Sequence, residues 1–216
     1  MELTQADRLA IQKGDHDFIL NKGAKFYVEQ DYTRAIEYYH LAASMGNMQA
    51  VSNLGYCYMY AHGVERNMDL ALAYFHISAQ ADVIDSLYKL GNIYERGKDV
   101  ETDEELAIYY YSKALGVIMG NHLIPYHYPS LFLALGRAHM PDGLLVSDLE
   151  TAYEFLQYAK RGYEIACAEG VQYWEEALAH VKSLLEDPVF DPIRDDPEDD
   201  DDWDLDWDLF AQEDMD

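Results

Sequence analysis

The order of apolar and polar positions along this chain repeats itself. Residues 54–79 read LGYCYMYAHGVERNMDLALAYFHISA, and residues 90–115 read LGNIYERGKDVETDEELAIYYYSKAL. Laid over each other, both open on Leu-Gly-x-x-Tyr (Leu54, Gly55, Tyr58; Leu90, Gly91, Tyr94). Both place an Ala sixteen residues after the Gly (Ala71, Ala107), then a Tyr and a second aromatic (Tyr74, Phe75; Tyr110, Tyr111). Gly55 to Gly91 is 36 residues, and so is Ala71 to Ala107. A fixed period of this length is the mark of stacked helix pairs. Each Gly inside a helix costs about 1 kcal/mol relative to Ala, so its recurrence needs an offset. The missing Cβ lets a neighbouring helix approach, the Ala of the second helix completes the small-against-small contact, and the aromatics flank it.

The same pattern extends in both directions. Thr4 to Gly14 reads as a polar-faced lead-in helix. Phe18–Glu29, with Gly23 and Phe26, pairs with Tyr32–Met45, which holds Ala35, Tyr38, Tyr39 and Ala42. Asp31 suits the N-cap between them. Here Gly23 to Ala35 is only 12 residues, so the first turn is four residues shorter than the next. Gly46-Asn47 is a left-handed helix stop, and the later turns fall at Ala61–Val64 and Gly97–Val100. Thr102-x-x-Glu105 and Ser147-x-x-Glu150 both read as capping boxes at one repeat position, 45 residues apart. Between Leu115 and Pro129 nine extra residues interrupt the period, and the segment GVIMGNHLIPYHYPS, with two Gly and two Pro, reads as a longer surface loop. Pro129 suits the first turn of the next helix. A fourth copy follows with Leu135, Gly136, His139, Ala152, Phe155 and Ala159, prolonged by Tyr163–Glu169. Val171–Glu186 reads as an amphipathic cap, and Pro188 and Pro192 end the folded part. The expected fold is all-α: an α/α superhelical solenoid of about four helix-turn-helix repeats with lead-in and capping helices, over residues 1–187.

Charge changes the picture at the C-terminus. The chain has 15 Lys and Arg against 41 Asp and Glu, a net charge of −26. Residues 187–216 hold 15 of those acids and one Arg. Such a field repels nucleic acid and anionic membranes and draws basic proteins. Residues 188–216 are expected to be a disordered acidic tail. Within it Trp203, Leu205, Trp207, Leu209 and Phe210 are apolar anchors in an acidic field, the composition of a linear binding motif. Asp202, Asp204, Asp206, Asp208 and Glu213 match five calcium-loop positions, but Trp207 stands where the loop requires Gly, so no calcium site is expected.

Other chemistry is sparse. Cys57 and Cys167 have neither metal-ligand nor disulfide spacing. The eight histidines form no metal-binding pair on a predicted helix. No nucleophile elbow, P-loop or dinucleotide fingerprint occurs, so no catalytic residue, metal or cofactor is expected. With no basic-then-apolar leader and no apolar run near the ~20 residues a bilayer requires, a soluble cytoplasmic protein is expected.

Leu-Gly-x-x-Tyr, then Gly-Val, a downstream Asp or Asn, an Ala and an aromatic pair resembles the Sel1-like repeats, relatives of the tetratricopeptide repeat with a longer inter-helix turn. The best copy has Leu54, Gly55, Tyr58, Gly63, Val64, Asn67, Ala71, Tyr74, Phe75 and Ala79. The third has Asp103 where the second has Asn67, and the fourth keeps Asp148 but puts His139 at the usual Tyr. The first, with its short turn, looks more like an ordinary tetratricopeptide repeat. The resemblance covers roughly residues 15–165. It implies an adaptor or scaffold whose concave groove, lined by the first helix of each pair, holds a partner polypeptide. Some secreted members with a cysteine pair per repeat are associated with β-lactam binding, and that cysteine pattern is absent here. Mapped by the resemblance, the groove positions are Tyr27, Tyr56, Met59, Tyr60, Tyr88, Asn92, Glu95, Arg96 and Arg137. Tyr and Arg with Asn is the composition of a binding surface. The expected function is therefore a non-enzymatic protein–protein interaction module with a basic partner. The alternative is an immunity or inhibitor protein that neutralises a basic toxin or nuclease.

Overall fold

The computed structural model describes residues 2–169 and 174–194, and their regular structure is helical throughout. The helices are α1 (Gln5–Lys13), α2 (His16–Val28), α3 (Tyr32–Ser44), α4 (Met48–Tyr60), α5 (Met68–Gln80), α6 (Ile84–Arg96), α7 (Glu104–Gly120), α8 (Pro129–Ala138), α9 (Leu149–Ala168), α10 (Glu175–Leu185) and α11 (Asp191–Arg194). Short 3-10 turns lie at Pro125–His127 and Pro188–Phe190. The described residues form two compact units, divided between Tyr110 and Tyr111. In the first, α2 packs on α3, α3 on α4, α4 on α5 and α5 on α6; in the second, α9 packs on both α8 and α10.

The repeated glycines meet, first of all, a large residue of the second helix, and only Gly136 also approaches the repeat's Ala, its Cβ position 3.2 Å from the Ala152 carbonyl oxygen. A Cβ on Gly55 would lie 2.7 Å from the Phe75 ring, and one on Gly23 would lie 2.8 Å from the Tyr39 ring. A Cβ on Gly136 would stand 2.8 Å from Leu156. The small-against-small expectation is thus corrected. The notch receives a large side chain, four residues after the repeat's Ala, and Ala35, Ala71 and Ala152 are fully buried beside it. Dispersion across so close a contact offsets the poor helix propensity of the Gly.

The aromatic three residues after each Gly meets the aromatic three residues after each Ala. Phe26 stacks on Tyr38 at 5.4 Å, Tyr58 on Tyr74 at 5.7 Å and Tyr94 on Tyr110 at 6.0 Å. In the α8–α9 pair His139 meets Phe155 edge-on at 5.8 Å, so the His fills the place of the usual Tyr.

The caps are Asp31, Asn67 and Asp148, each accepting from a backbone N–H three residues on, and Asp103 accepts from Leu106 N in the same way. The capping boxes expected from Thr102 and Ser147 are therefore each one residue early. The acceptor is the Asn or Asp of the repeat motif itself, whose short side chain reaches the third N–H of the helix. Gly63 (φ +75°) shapes the α4–α5 turn, where a Cβ would lie 2.8 Å from the Tyr32 backbone.

Two further expectations are corrected. The stretch read as a surface loop from residue 116 is helical to Gly120, because Ile118 is buried at 2% exposure and draws the helix onward. The chain also stays folded past residue 187. Phe190 is fully buried with its ring 5.4 Å from Tyr153, and Arg194 donates to the carbonyls of Leu185 and Asp187. Apolar burial outweighs the two prolines, both of which fall at helical first-turn positions.

The lead-in helix is pinned by a buried acid. Thr4 and Asp7 form a capping box, and the fully buried Asp7 carboxylate accepts from Lys22 Nζ at 2.6 Å and from the Tyr38 hydroxyl at 2.9 Å. Burial pushes the Asp7 carboxyl up, but the bonds from Lys22, Thr4 and Tyr38 outweigh it and hold the carboxyl at about 2.

Candidate functional site

The first helices of successive pairs place their tyrosines side by side in the first unit. Tyr56 and Tyr60 lie four apart on α4, one helical turn, with ring centroids 6.3 Å apart. Tyr88 and Asn92 lie four apart on α6, and the Asn92 amide donates to the Tyr88 hydroxyl at 2.8 Å. Lys89 links the two helices. Its Nζ stands 4.9 Å from the Tyr56 ring centre, 5.7 Å from Tyr60 and 5.4 Å from Tyr88, and donates to the Tyr60 hydroxyl at 3.4 Å. An ammonium over several ring faces is a cation–π arrangement, worth more as water is excluded.

Polar groups edge this patch. Gln49 Nε2 donates to the Asp85 carboxylate at 2.9 Å. Gln49 and Asp85 are 36 residues apart, so equivalent positions of adjacent repeats face each other. Protein crowded around Asp85 raises its carboxyl, against the Gln49 donor and the Lys89 charge. Burial raises the Tyr56 hydroxyl well above its ordinary range, and raises Tyr88 against the Asn92 bond, so both phenols stay protonated.

Tyr27 on α2 continues the aromatic surface. Its hydroxyl lies 2.7 Å from His62 Nδ1, and His62 stacks on Tyr32 at 4.4 Å and approaches Tyr60 at 5.9 Å. Tyr60 is 49% exposed, so the rings are not sealed into the core. Of the expected groove residues, Tyr27, Tyr56, Tyr60, Tyr88 and Asn92 are brought together. Met59 is half-buried and its carbonyl accepts from Arg66, while Glu95 is half-buried and Arg96 exposed at the end of α6. Arg137 lies on α8 in the second unit. Trp203, Leu205, Trp207, Leu209 and Phe210 lie outside the described residues. Sequence reasoning missed Lys89, Asp85, Gln49, Tyr32 and His62. The 36-residue step from Gln49 to Asp85, and the four-residue step from Asp85 to Lys89, carried the signal.

A second cluster uses the inter-helix aromatics. His76 on α5 lies between two hydroxyls, Tyr94 at 3.2 Å from Nε2 and Tyr110 at 3.1 Å from Nδ1. Burial lowers its pKa from the ordinary value. A neutral imidazole accepts on one nitrogen and donates on the other, so it serves both tyrosines. The unfolded chain protonates first, near pH 6.5. Any stability linked to His76 is thus present above that pH and lost as pH falls through the lower folded value. Denaturant titrations at pH 8 and pH 5 are expected to show a steeper loss in the natural chain than in His76→Gln. Cys57 carries no reactive chemistry, since burial pushes its thiol up to about 12.

Comparison with known proteins accords with this geometry. The Sel1 repeat family model matches residues 9–47, 49–83 and 84–115. The match over 9–47 corrects the likening of the first hairpin to an ordinary tetratricopeptide repeat: its Gly-to-ring packing is that of the Gly55–Phe75 pair, and its turn is shorter. Among curated proteins, HcpC of Helicobacter pylori, whose name puts forward β-lactamase activity, is 40% identical over 50 residues, covering 23% of this chain and 17% of that protein. Among solved structures, c5321 is a protective antigen present in uropathogenic Escherichia coli strains displaying an SLR fold. It aligns with a TM-score of 0.57 at 20% identity, over 71% of this chain and 32% of its own. A Sel1 repeat protein from Oxalobacter formigenes aligns with a TM-score of 0.56 at 20% identity, over 76% of this chain and 72% of its own. At that identity the likeness shows the fold, an all-α solenoid. No helix among the described residues is long and apolar enough to cross a membrane.

Proposed function

Since residues 9–115 of this chain are Sel1 repeats, we propose that it is a non-enzymatic adaptor that holds a partner polypeptide on the tyrosine face of its first unit. Sel1 repeat proteins bind protein partners, and the observation that favours this face is the cluster of Tyr56, Tyr60 and Tyr88 around Lys89. Rigid rings with polar tips give large contact area at small entropic cost, as in other protein-binding surfaces. On this reading the protein works in the cytoplasm, and its net charge of −26 steers basic partners toward the molecule as a whole, while the tyrosine face itself carries the Lys89 ammonium. Pulldown with the full chain is expected to recover a partner that the Tyr60→Ala/Tyr88→Ala/Arg96→Ala chain loses. Equal recovery by both chains counts against the face. The 15 acids after residue 186 favour a second reading, an immunity protein that masks a basic toxin or nuclease. Its mark is tight binding that weakens steeply with salt. Turnover of a β-lactam by the purified chain would overturn both readings.

A further inference from the structure

Several cations in this acidic chain are paired with carboxylates. Lys22 pairs with Asp7, Arg34 with Asp31, Arg66 with Asp99 and Lys182 with Glu164. Lys89 differs: no carboxylate of the described residues lies within ion-pair distance of it, and its ammonium rests on tyrosine rings instead. Asp85, four residues earlier, is engaged by Gln49. Arg96 stands exposed at the end of the same helix. A surface of aromatic rings with an ammonium among them fits a ligand that brings carboxylates and flat apolar groups together.

We infer that the Tyr56–Tyr60–Tyr88 surface around Lys89 docks an acidic, indole-bearing segment, and that its occupant is Trp203–Phe210 of a second copy of this chain. The inference rests on the reading of that face as a polypeptide-binding surface. The segment supplies the complementary chemistry: Asp204, Asp206 and Asp208 alternate with Trp203, Leu205, Trp207 and Leu209. Its carboxylates meet Lys89 and Arg96 while its indoles lie against tyrosine rings. Eight residues lie between Arg194 and Trp203. At about 3.3 Å each they carry the segment up to roughly 30 Å from Arg194, enough to reach a molecule in contact. Repulsion between two acidic chains is screened beyond about 8 Å at ~0.15 M salt, so direct contacts decide the outcome there.

The test is sedimentation velocity of the full chain from roughly 1 to 100 μM at ~0.15 M salt. Concentration-dependent association is expected, weakened at least about tenfold by Lys89→Glu and by Trp203→Ser/Trp207→Ser/Phe210→Ser, and largely kept by Lys89→Arg. A single monomeric species throughout overturns the inference, as does association that neither change affects. Shielded emission from Trp203 and Trp207 in a monomeric Trp174→Phe chain also overturns it. Partner capture through Tyr60 and Tyr88 without self-association sinks this inference alone; loss of both sinks the binding face itself.

Discussion

A Gly55→Leu chain is expected to lose most of the stability of its second helix pair. The Cβ alone would stand 2.7 Å from a Phe75 ring that is fully buried, so the ring or the helix must move. Overpacking of this kind costs about 1–3 kcal/mol, and more when backbone shifts. Gly55→Ala recovers about 1 kcal/mol of helix propensity and is expected to be destabilised by about 0–2 kcal/mol net. Gly55→Leu is expected to exceed about 3 kcal/mol. Urea denaturation of the full chain checks both. Phe75→Leu in the Gly55→Ala chain frees space and is expected to restore part of the loss, a coupling that independent sites do not show. Because Tyr56 follows Gly55 directly, binding through the tyrosine face should fall in step.

Asp7→Ala is expected to be the other severe change. It leaves Lys22 and the Tyr38 hydroxyl facing an empty buried site. Removing one member of a buried pair costs about 3–5 kcal/mol. Lys22 keeps 23% exposure and can turn toward water, which places the loss near the lower figure. Acid gives a second measure. The folded Asp7 carboxyl sits at about 2, against about 3.9 in an unfolded chain. A depressed carboxyl adds stability above the unfolded value, on the order of 2 kcal/mol here, and loses it as pH falls from about 5 toward 1. Denaturation midpoints against pH should therefore drop more steeply in that window for the natural chain than for Asp7→Asn.

The repeats were legible because their period is written in small and aromatic residues that few other folds space in this way. Gly55, Ala71 and Phe75 could be found from the chain alone, but not that Phe75 fills the Gly55 notch, since Ala and Phe lie one turn apart on the same helix face. The caps were displaced by one residue because Thr102 and Ser147 precede a better acceptor, Asp103 and Asp148. The extension of α7 was hidden by Gly116 and Gly120, which each weaken a helix by about 1 kcal/mol and which burial of Ile118 outweighs. Lys89 was missed for a different reason. One lysine on a helix is ordinary until the neighbouring repeat sets Tyr56 and Tyr60 beside it.

The most direct test of the account is a photo-crosslinking pair in the native cell, with a benzophenone side chain replacing Tyr60 in one full-length chain and the exposed Ile77 of α5 in another. The account predicts a discrete polypeptide adduct from position 60 that disappears on Tyr56→Ala/Tyr88→Ala, and none from position 77. Adducts from position 77 alone, or adducts from position 60 that survive loss of the two tyrosines, would contradict it.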